Sequence, residues 1–336
     1  MSHTPLRYSQ NFLRDPRLVE RLLALSSIRH DDLVYEIGPG AGMITDCLAQ
    51  RAGRVVAIEL DDTLAARLRQ RYVAQPHVAI HTGDFLECAL PQQPYKVFAS
   101  IPFAYTQEII AKFTSAACPP QEACLIVQRE AAEKFCGMPR EYLYAILLKP
   151  WFTVDIVYHF MRSDFMPVPG VEVVMLRLQK RGPPLIAAHE RQLFRDFVVY
   201  GFVTRQPTLD HILHRVFSHR QRQQAMRLFA LDLGATPSTV TFPQWIELFH
   251  YFMRVGSAQA RQTISGSERR LRQRQAQLHK THRTRGSRGR MQPPNGAPGA
   301  GAPQRLSSQA NGPMLDRGDI TRGCFSRGEE HRAWIR

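Results

Sequence analysis

The sequence predicts an α/β fold: a doubly wound parallel sheet, then a small all-helical domain, then a disordered basic tail. Three observations carry this. Between positions 33 and 127, short apolar runs alternate with helix-length segments, the pattern of strands joined through crossover helices. After Gly182-Pro183-Pro184 the pattern is helical only, through position 255. Beyond Gly266 the chain turns basic and poor in aliphatic side chains, too poor to offset its own conformational entropy by burial. These changes divide the chain at 1–182, 183–265 and 266–336.

Residues 16–26 place Leu18, Val19, Leu22, Leu23 and Leu25 on one helical face, with Asp15 as N-cap and Pro16 at the first position. The predicted strands are 33–37, 55–59, 78–81, 96–99 and 122–127, with helices at 43–51, 62–73 and 106–115 between them. Further strands are expected near 153–160 and 171–179. The second domain reads as helices at 189–203, 207–217, 219–231 and 243–254. In such a sheet a ligand sits beyond the C-terminal strand ends, at the switch point.

The chain has 336 residues and a formal net charge of +15. Residues 1–265 hold 29 Lys and Arg against 24 Asp and Glu, whereas residues 266–336 hold 15 against 5. Two thirds of the excess thus lies in the last segment, whose predicted role is an electrostatic tether to RNA. Its removal after Ser265 is expected to leave the fold intact. No run reaches the ~20 apolar residues of a membrane span, and no apolar leader with a cleavage site opens the chain. Cys47, Cys88, Cys118, Cys124, Cys136 and Cys324 have neither disulfide nor zinc spacing, so reduced thiols, a cytoplasmic location and no metal are expected.

Glu36-Ile37-Gly38-Pro39-Gly40-Ala41-Gly42 lies between the first strand and its helix. Alone it fits a dinucleotide site, an S-adenosylmethionine site or a plain tight turn. Two further carboxylates narrow the choice. Glu59, at the end of the next strand, can accept both hydroxyls of a ribose, and Asp84, after the third strand, can accept an adenine amine. No lysine or Walker-type run accompanies the glycines, so a nucleoside without phosphates, S-adenosylmethionine, fits better than a dinucleotide. The fourth strand ends in Ser100-Ile101-Pro102-Phe103. A polar side chain and a backbone carbonyl before proline can hold the hydrogens of a weakly nucleophilic amine such as adenine N6. The following aromatic ring can stack on the base. Positioning supplies most of the rate, and no strong general base is needed.

With Tyr8-Ser9-Gln10-Asn11-Phe12-Leu13, Ile58-Glu59-Leu60-Asp61, Gly83-Asp84-Phe85, Leu148-Lys149-Pro150-Trp151-Phe152 and Asp164-Phe165-Met166-Pro167-Val168-Pro169, these motifs resemble the Erm-type 23S rRNA adenine-N6 methyltransferases. Those enzymes are relatives of the small-subunit rRNA dimethyladenosine transferases. The resemblance covers about residues 6–255 and implies a Rossmann-like S-adenosylmethionine-dependent methyltransferase sheet. It implies that Asn11, Leu13, Gly38, Glu59, Asp84 and Ser100 contact S-adenosylmethionine. Ser100, Ile101 and Phe103 would form the target-adenine site, with Phe165 clamping the base from the other side. It implies mono- or dimethylation of one adenine in 23S rRNA, free or in pre-ribosomal particles, and macrolide, lincosamide and streptogramin B resistance. The protein would act as a monomer, away from membranes. A 16S dimethyltransferase and a non-catalytic RNA-binding relative remain the alternatives. Ser100 stands where the family usually has Asn. In the helical domain, the run from Arg215 to Arg227 is the expected rRNA-backbone patch.

Overall fold

The computed structural model describes residues 12–204, 208–232 and 234–286. The chain opens with β1 (Phe12–Leu13) and α1 (Pro16–Ala24), whose N-cap Asp15 accepts from the Arg17 N–H at 2.9 Å. Alternation follows: β2 (Leu33–Ile37), α2 (Met43–Arg51), β3 (Arg54–Glu59), α3 (Asp62–Arg71), β4 (Val78–Thr82), β5 (Lys96–Ser100), α4 (Thr106–Thr114) and β6 (Glu122–Gln128). Then come α5 (Arg129–Cys136), α6 (Leu143–Leu148), β7 (Phe152–His159), β8 (Phe165–Met166) and β9 (Val173–Lys180). The second part contains α7 (Arg191–Val203), α8 (Leu209–Leu213), α9 (His219–Leu228), α10 (Phe242–Val255), α11 (Ala258–Ile264) and α12 (Ser267–Gly286).

Seven strands form one sheet in the order β4-β3-β2-β5-β6-β9-β7. The first five are mutually parallel. The expectation of a wholly parallel sheet is corrected at its far edge, where β9 runs antiparallel to β6 and β7 antiparallel to β9. Its cause is the connection: no crossover helix separates β7 from β9, so the chain turns back on itself. The chain winds outward from β2 to β4 and then returns to place β5 on the other side of β2. The switch point therefore falls between β2 and β5, directly above the glycine loop and Ser100.

Both faces of the sheet are covered, so side chains alternate between two cores. On β5, Val97 and Ala99 enter the cluster with Ile110, Phe113 and Phe152, while Phe98 enters the one with Leu18, Leu22 and Leu48. A third cluster, around Phe194, Phe197, Trp245, Phe249 and Phe252, fills the helical part. Trp151 packs against the first and third of these cores, its ring 5.9 Å from that of Phe194. Residues through Arg283 form one compact unit, so the boundary at 182/183 marks a change of architecture inside a shared body.

The expected tail begins too early. Residues 267–286 form α12, whose N-terminus is buried. Asp196 of α7 accepts from the Gly266 N–H at 3.0 Å and the Glu268 N–H at 2.8 Å, an N-cap supplied by another helix. Removal after Ser265 would strip Asp196 and Arg195 of these partners and uncover the surface on which α12 packs, so the expectation that this cut spares the fold is withdrawn. Positions 287–336 of the expected tail lie outside the described residues.

Candidate functional site

Four adjacent strands end side by side: Asp84 follows β4, Glu59 ends β3, Gly38 follows β2 and Ser100 ends β5. Three interstrand steps of about 4.8 Å give a row roughly 14 Å long. The ladder continues into the loops, with Gly38 N–H donating to Ile58 at 2.9 Å and Gly83 N–H to Glu59 at 2.9 Å.

An open cleft with a cavity volume of about 80 Å³ lies at the β2/β5 end of this row, lined by Leu13, Gly38, Met43, Ser100, Ile101 and Phe103 among others. The structure therefore gathers five sequence-predicted residues around one opening. Ser100 is half-buried, and among the described residues its hydroxyl makes no hydrogen bond. Phe103 starts a 3-10 turn through Tyr105, pinned by the Thr106 hydroxyl donating to the Phe103 carbonyl at 3.0 Å.

Glu59 and Asp84 lie outside that lining. Glu59 is buried, and its carboxylate accepts from the Gly40 N–H at 2.9 Å and the Asp61 N–H at 3.0 Å. It thus builds the loop as well as facing the row. Asp84 is exposed and accepts from the Leu86 N–H at 2.8 Å. Asn11 lies outside the described residues.

Phe165 departs from its expected place. Its ring is 1% exposed, inside the core and 5.1 Å from the Phe160 ring, and offers no open face to a base. The reason is register: β1 pairs antiparallel with β8, Leu13 opposite Phe165 and Phe12 opposite Met166. Paired residues share a face, so Leu13 and Phe165 turn inward together while Phe12 and Met166 turn out.

Sequence reasoning gave Phe12 no role of its own, although it stood inside the quoted motif. Its ring lies over Gly40, where an added Cβ would sit 2.5 Å from the ring edge. Gly40 and Gly42 both have positive φ, +56° and +87°, and Gly42 starts α2. From behind, α3 braces the loop: Arg71 donates to the Ala41 carbonyl at 3.1 Å and pairs with Asp46, while the Tyr72 hydroxyl donates to Asp46 at 2.7 Å. Burial, then its bond to Asp46, pushes the Tyr72 phenol well above its ordinary range. No local signal announces these contacts, because 25 or more residues separate the partners.

Glu36 is also buried, and the Thr45 hydroxyl donates to it at 2.7 Å. Burial pushes its carboxyl up to about 8, and the nearby charge of Glu59 adds to the effect. Glu36 therefore holds a proton at neutral pH and keeps a second negative charge from crowding Glu59.

The basic patches are partly structural. Arg222 bonds Asp210 at 2.7 Å, Arg191 lies over the Trp151 ring at 4.8 Å, and Lys149 pairs with Glu141 at 2.8 Å. Within the expected run, Arg215, Arg220 and Arg227 remain exposed.

A glycine loop at the switch point, a buried carboxylate on the next strand and a row of strand ends as long as a nucleoside with an amino-acid arm fit S-adenosylmethionine. The fold and the cleft define an S-adenosylmethionine-dependent methyltransferase. A family model described as ribosomal RNA adenine dimethylase matches residues 1–254. The rRNA methyltransferase of Streptomyces thermotolerans is 34% identical over 244 residues, spanning 72% of this chain and 81% of the relative. The rRNA adenine N-6-methyltransferase of Aeromicrobium erythreum is 34% identical over 242 residues, spanning 71% of each. The ribosomal RNA small subunit methyltransferase A of Syntrophotalea carbinolica is 32% identical over 221 residues, 63% of this chain and 83% of that one. The crystal structure of the 23S rRNA methyltransferase ErmE superposes with a TM-score of 0.68 at 29% identity, covering 72% of this chain and all of that one. The chain belongs to the ribosomal RNA adenine dimethylase family, as an Erm-type enzyme that methylates adenine N6 in rRNA.

Proposed function

We propose that the protein methylates one adenine of 23S rRNA and thereby confers macrolide, lincosamide and streptogramin B resistance. One observation carries the reading of the site: Ser100-Ile101-Pro102-Phe103 opens into the same cleft as the glycine loop. The choice of 23S rests on Lys149-Pro150-Trp151-Phe152 and on Arg162 to Pro169, which resemble the Erm branch more than the small-subunit branch. Likeness to a 23S enzyme of known structure supports it. The similarity to a small-subunit methyltransferase keeps 16S rRNA as the second reading.

In this reading, Leu13, Gly38, Glu59 and Asp84 hold S-adenosylmethionine along the row of strand ends. Bound there, the cofactor supplies an electrophilic methyl group on a sulfonium. The Ser100 hydroxyl accepts a hydrogen of adenine N6 and orients its lone pair. Ile101, buried at the cleft floor, fixes the backbone that carries this hydroxyl, and Phe103 stacks on the base. Phe165 supports the site from the core by fixing Leu13. The protein acts as a monomer in the cytoplasm; among the described residues no helix is long and apolar enough to cross a membrane.

Expression in a macrolide-sensitive bacterium tests this. The expected result is raised resistance together with a reverse-transcription stop in domain V of 23S rRNA. Unchanged sensitivity with no stop would refute it.

A further inference from the structure

α12 lies beyond the residues matched by the family model, which end at 254. Its inner side is built for docking. Glu268 is 6% exposed and accepts from Arg195 of α7 through both oxygens, at 2.6 and 2.9 Å. Arg272 at 2.6 Å and Gln192 at 3.2 Å complete its partners. Burial opposes the Glu268 charge, but the bonds and charge of Arg195 and Arg272 outweigh it and hold the carboxyl down at about 2. Asp196 caps the same helix end, and Leu271 packs on the helical core. Glu268, Leu271 and Gln275, spaced three to four residues apart, therefore form the inner stripe, with Ser267 beside it.

The outer side is the reverse. Arg269, Arg270 and Arg274 are exposed, with Arg270 steadied by the Ser265 carbonyl and Ser267 hydroxyl at 2.8 Å each. Glu268 is the one acid of α12, and it is buried and neutralised. From Arg269 to Arg290 the sequence has nine Lys and Arg and no acid. The exposed Arg269, Arg270 and Arg274 make a face complementary to a run of phosphates.

We propose that α12 is a docked, pre-oriented strut that binds the phosphate backbone of the rRNA substrate, raising affinity without reading sequence. This rests on the rRNA-substrate reading. It differs from a flexible tether in one respect: the strut needs its charges and its docking, the tether only its charges.

The test is binding of the full chain to a domain V transcript across a salt series, with S-adenosylmethionine binding measured in parallel. Arg269→Gln/Arg270→Gln/Arg274→Gln removes the outer charges. It is expected to weaken rRNA binding about tenfold at low salt and to reduce the salt slope by about 2–3. In methylation assays KM should rise while kcat holds, the mark of uniform binding. Glu268→Gln makes the chain more positive but loosens the dock. The strut predicts weaker rRNA binding for it, while a tether predicts equal or tighter binding. The proposal is overturned by an unchanged salt slope in the triple variant, or by unweakened binding in Glu268→Gln with S-adenosylmethionine affinity intact. If Glu268→Gln loses S-adenosylmethionine binding through misfolding, the triple variant alone decides. A wild-type chain that binds no rRNA would instead strike at the rRNA-substrate reading itself.

Discussion

Gly40 lies beneath the Phe12 ring with no space for a side chain, at a φ of +56°. Gly40→Ala is expected to cost about 1–2 kcal/mol of stability through the left-handed backbone. It should also displace Phe12 from the cleft and weaken S-adenosylmethionine binding at least tenfold, as read by thermal unfolding and calorimetry. Glu36 makes a pH prediction. Its folded pKa of about 8 lies above the ordinary carboxyl value of 4.5, so its contribution is fully present below 4.5 and is lost as pH rises through 8. Glu36→Gln should flatten that fall in melting temperature between about pH 4.5 and 8, and a wild-type slope kept in the variant would contradict the assignment. Ser100 is shorter than the usual Asn. Ser100→Asn should change the rate or the ratio of mono- to dimethyladenine, measured by mass spectrometry of the rRNA; identical values would show that serine in place of asparagine alters neither. The strand-end residues were legible at this scale because each sits where an apolar run stops. Phe165 was not, because its burial is decided by pairing with Leu13, about 150 residues earlier.

Elements that pack by short-range pattern were legible too: α2 spans the predicted residues 43–51. α5 and α6 were not resolved from the sequence, since their short patterns lie between two strands. The brace from α3 to the glycine loop and the dock of α12 on α7 are long-range contacts with no local trace. Composition alone made 267–286 look disordered; a single acid, Glu268, set between Arg195 and Arg272 and helped by the Asp196 cap, ties that helix down. The stabilisation from this depressed carboxyl is full above the ordinary carboxylate range and disappears as pH falls toward 2. Glu268→Gln should therefore lower stability by about 2 kcal/mol at neutral pH. The deficit should shrink in acid, and a pH-independent deficit would assign the loss to packing instead.

Across the whole molecule, the net charge of +15 divides between a mildly basic body and a strongly basic C-terminal segment. The docked α12 brings part of that second share into the ordered structure. Truncation after Ser265 should lower the melting temperature by several degrees relative to truncation after Gly286, because Asp196 and Arg195 lose their partners. Equal melting temperatures for the two would contradict the dock. Substrate choice also belongs to this scale, since it depends on how cleft, helical layer and α12 meet a folded RNA. The most direct measurement is methyl transfer by the purified full chain to 23S and 16S transcripts in parallel, with the modified base located by mass spectrometry. N6-methylated adenine at one site in domain V of the 23S transcript, and none in the 16S transcript, is the expected result; methylation of 16S alone, or of neither, would contradict it.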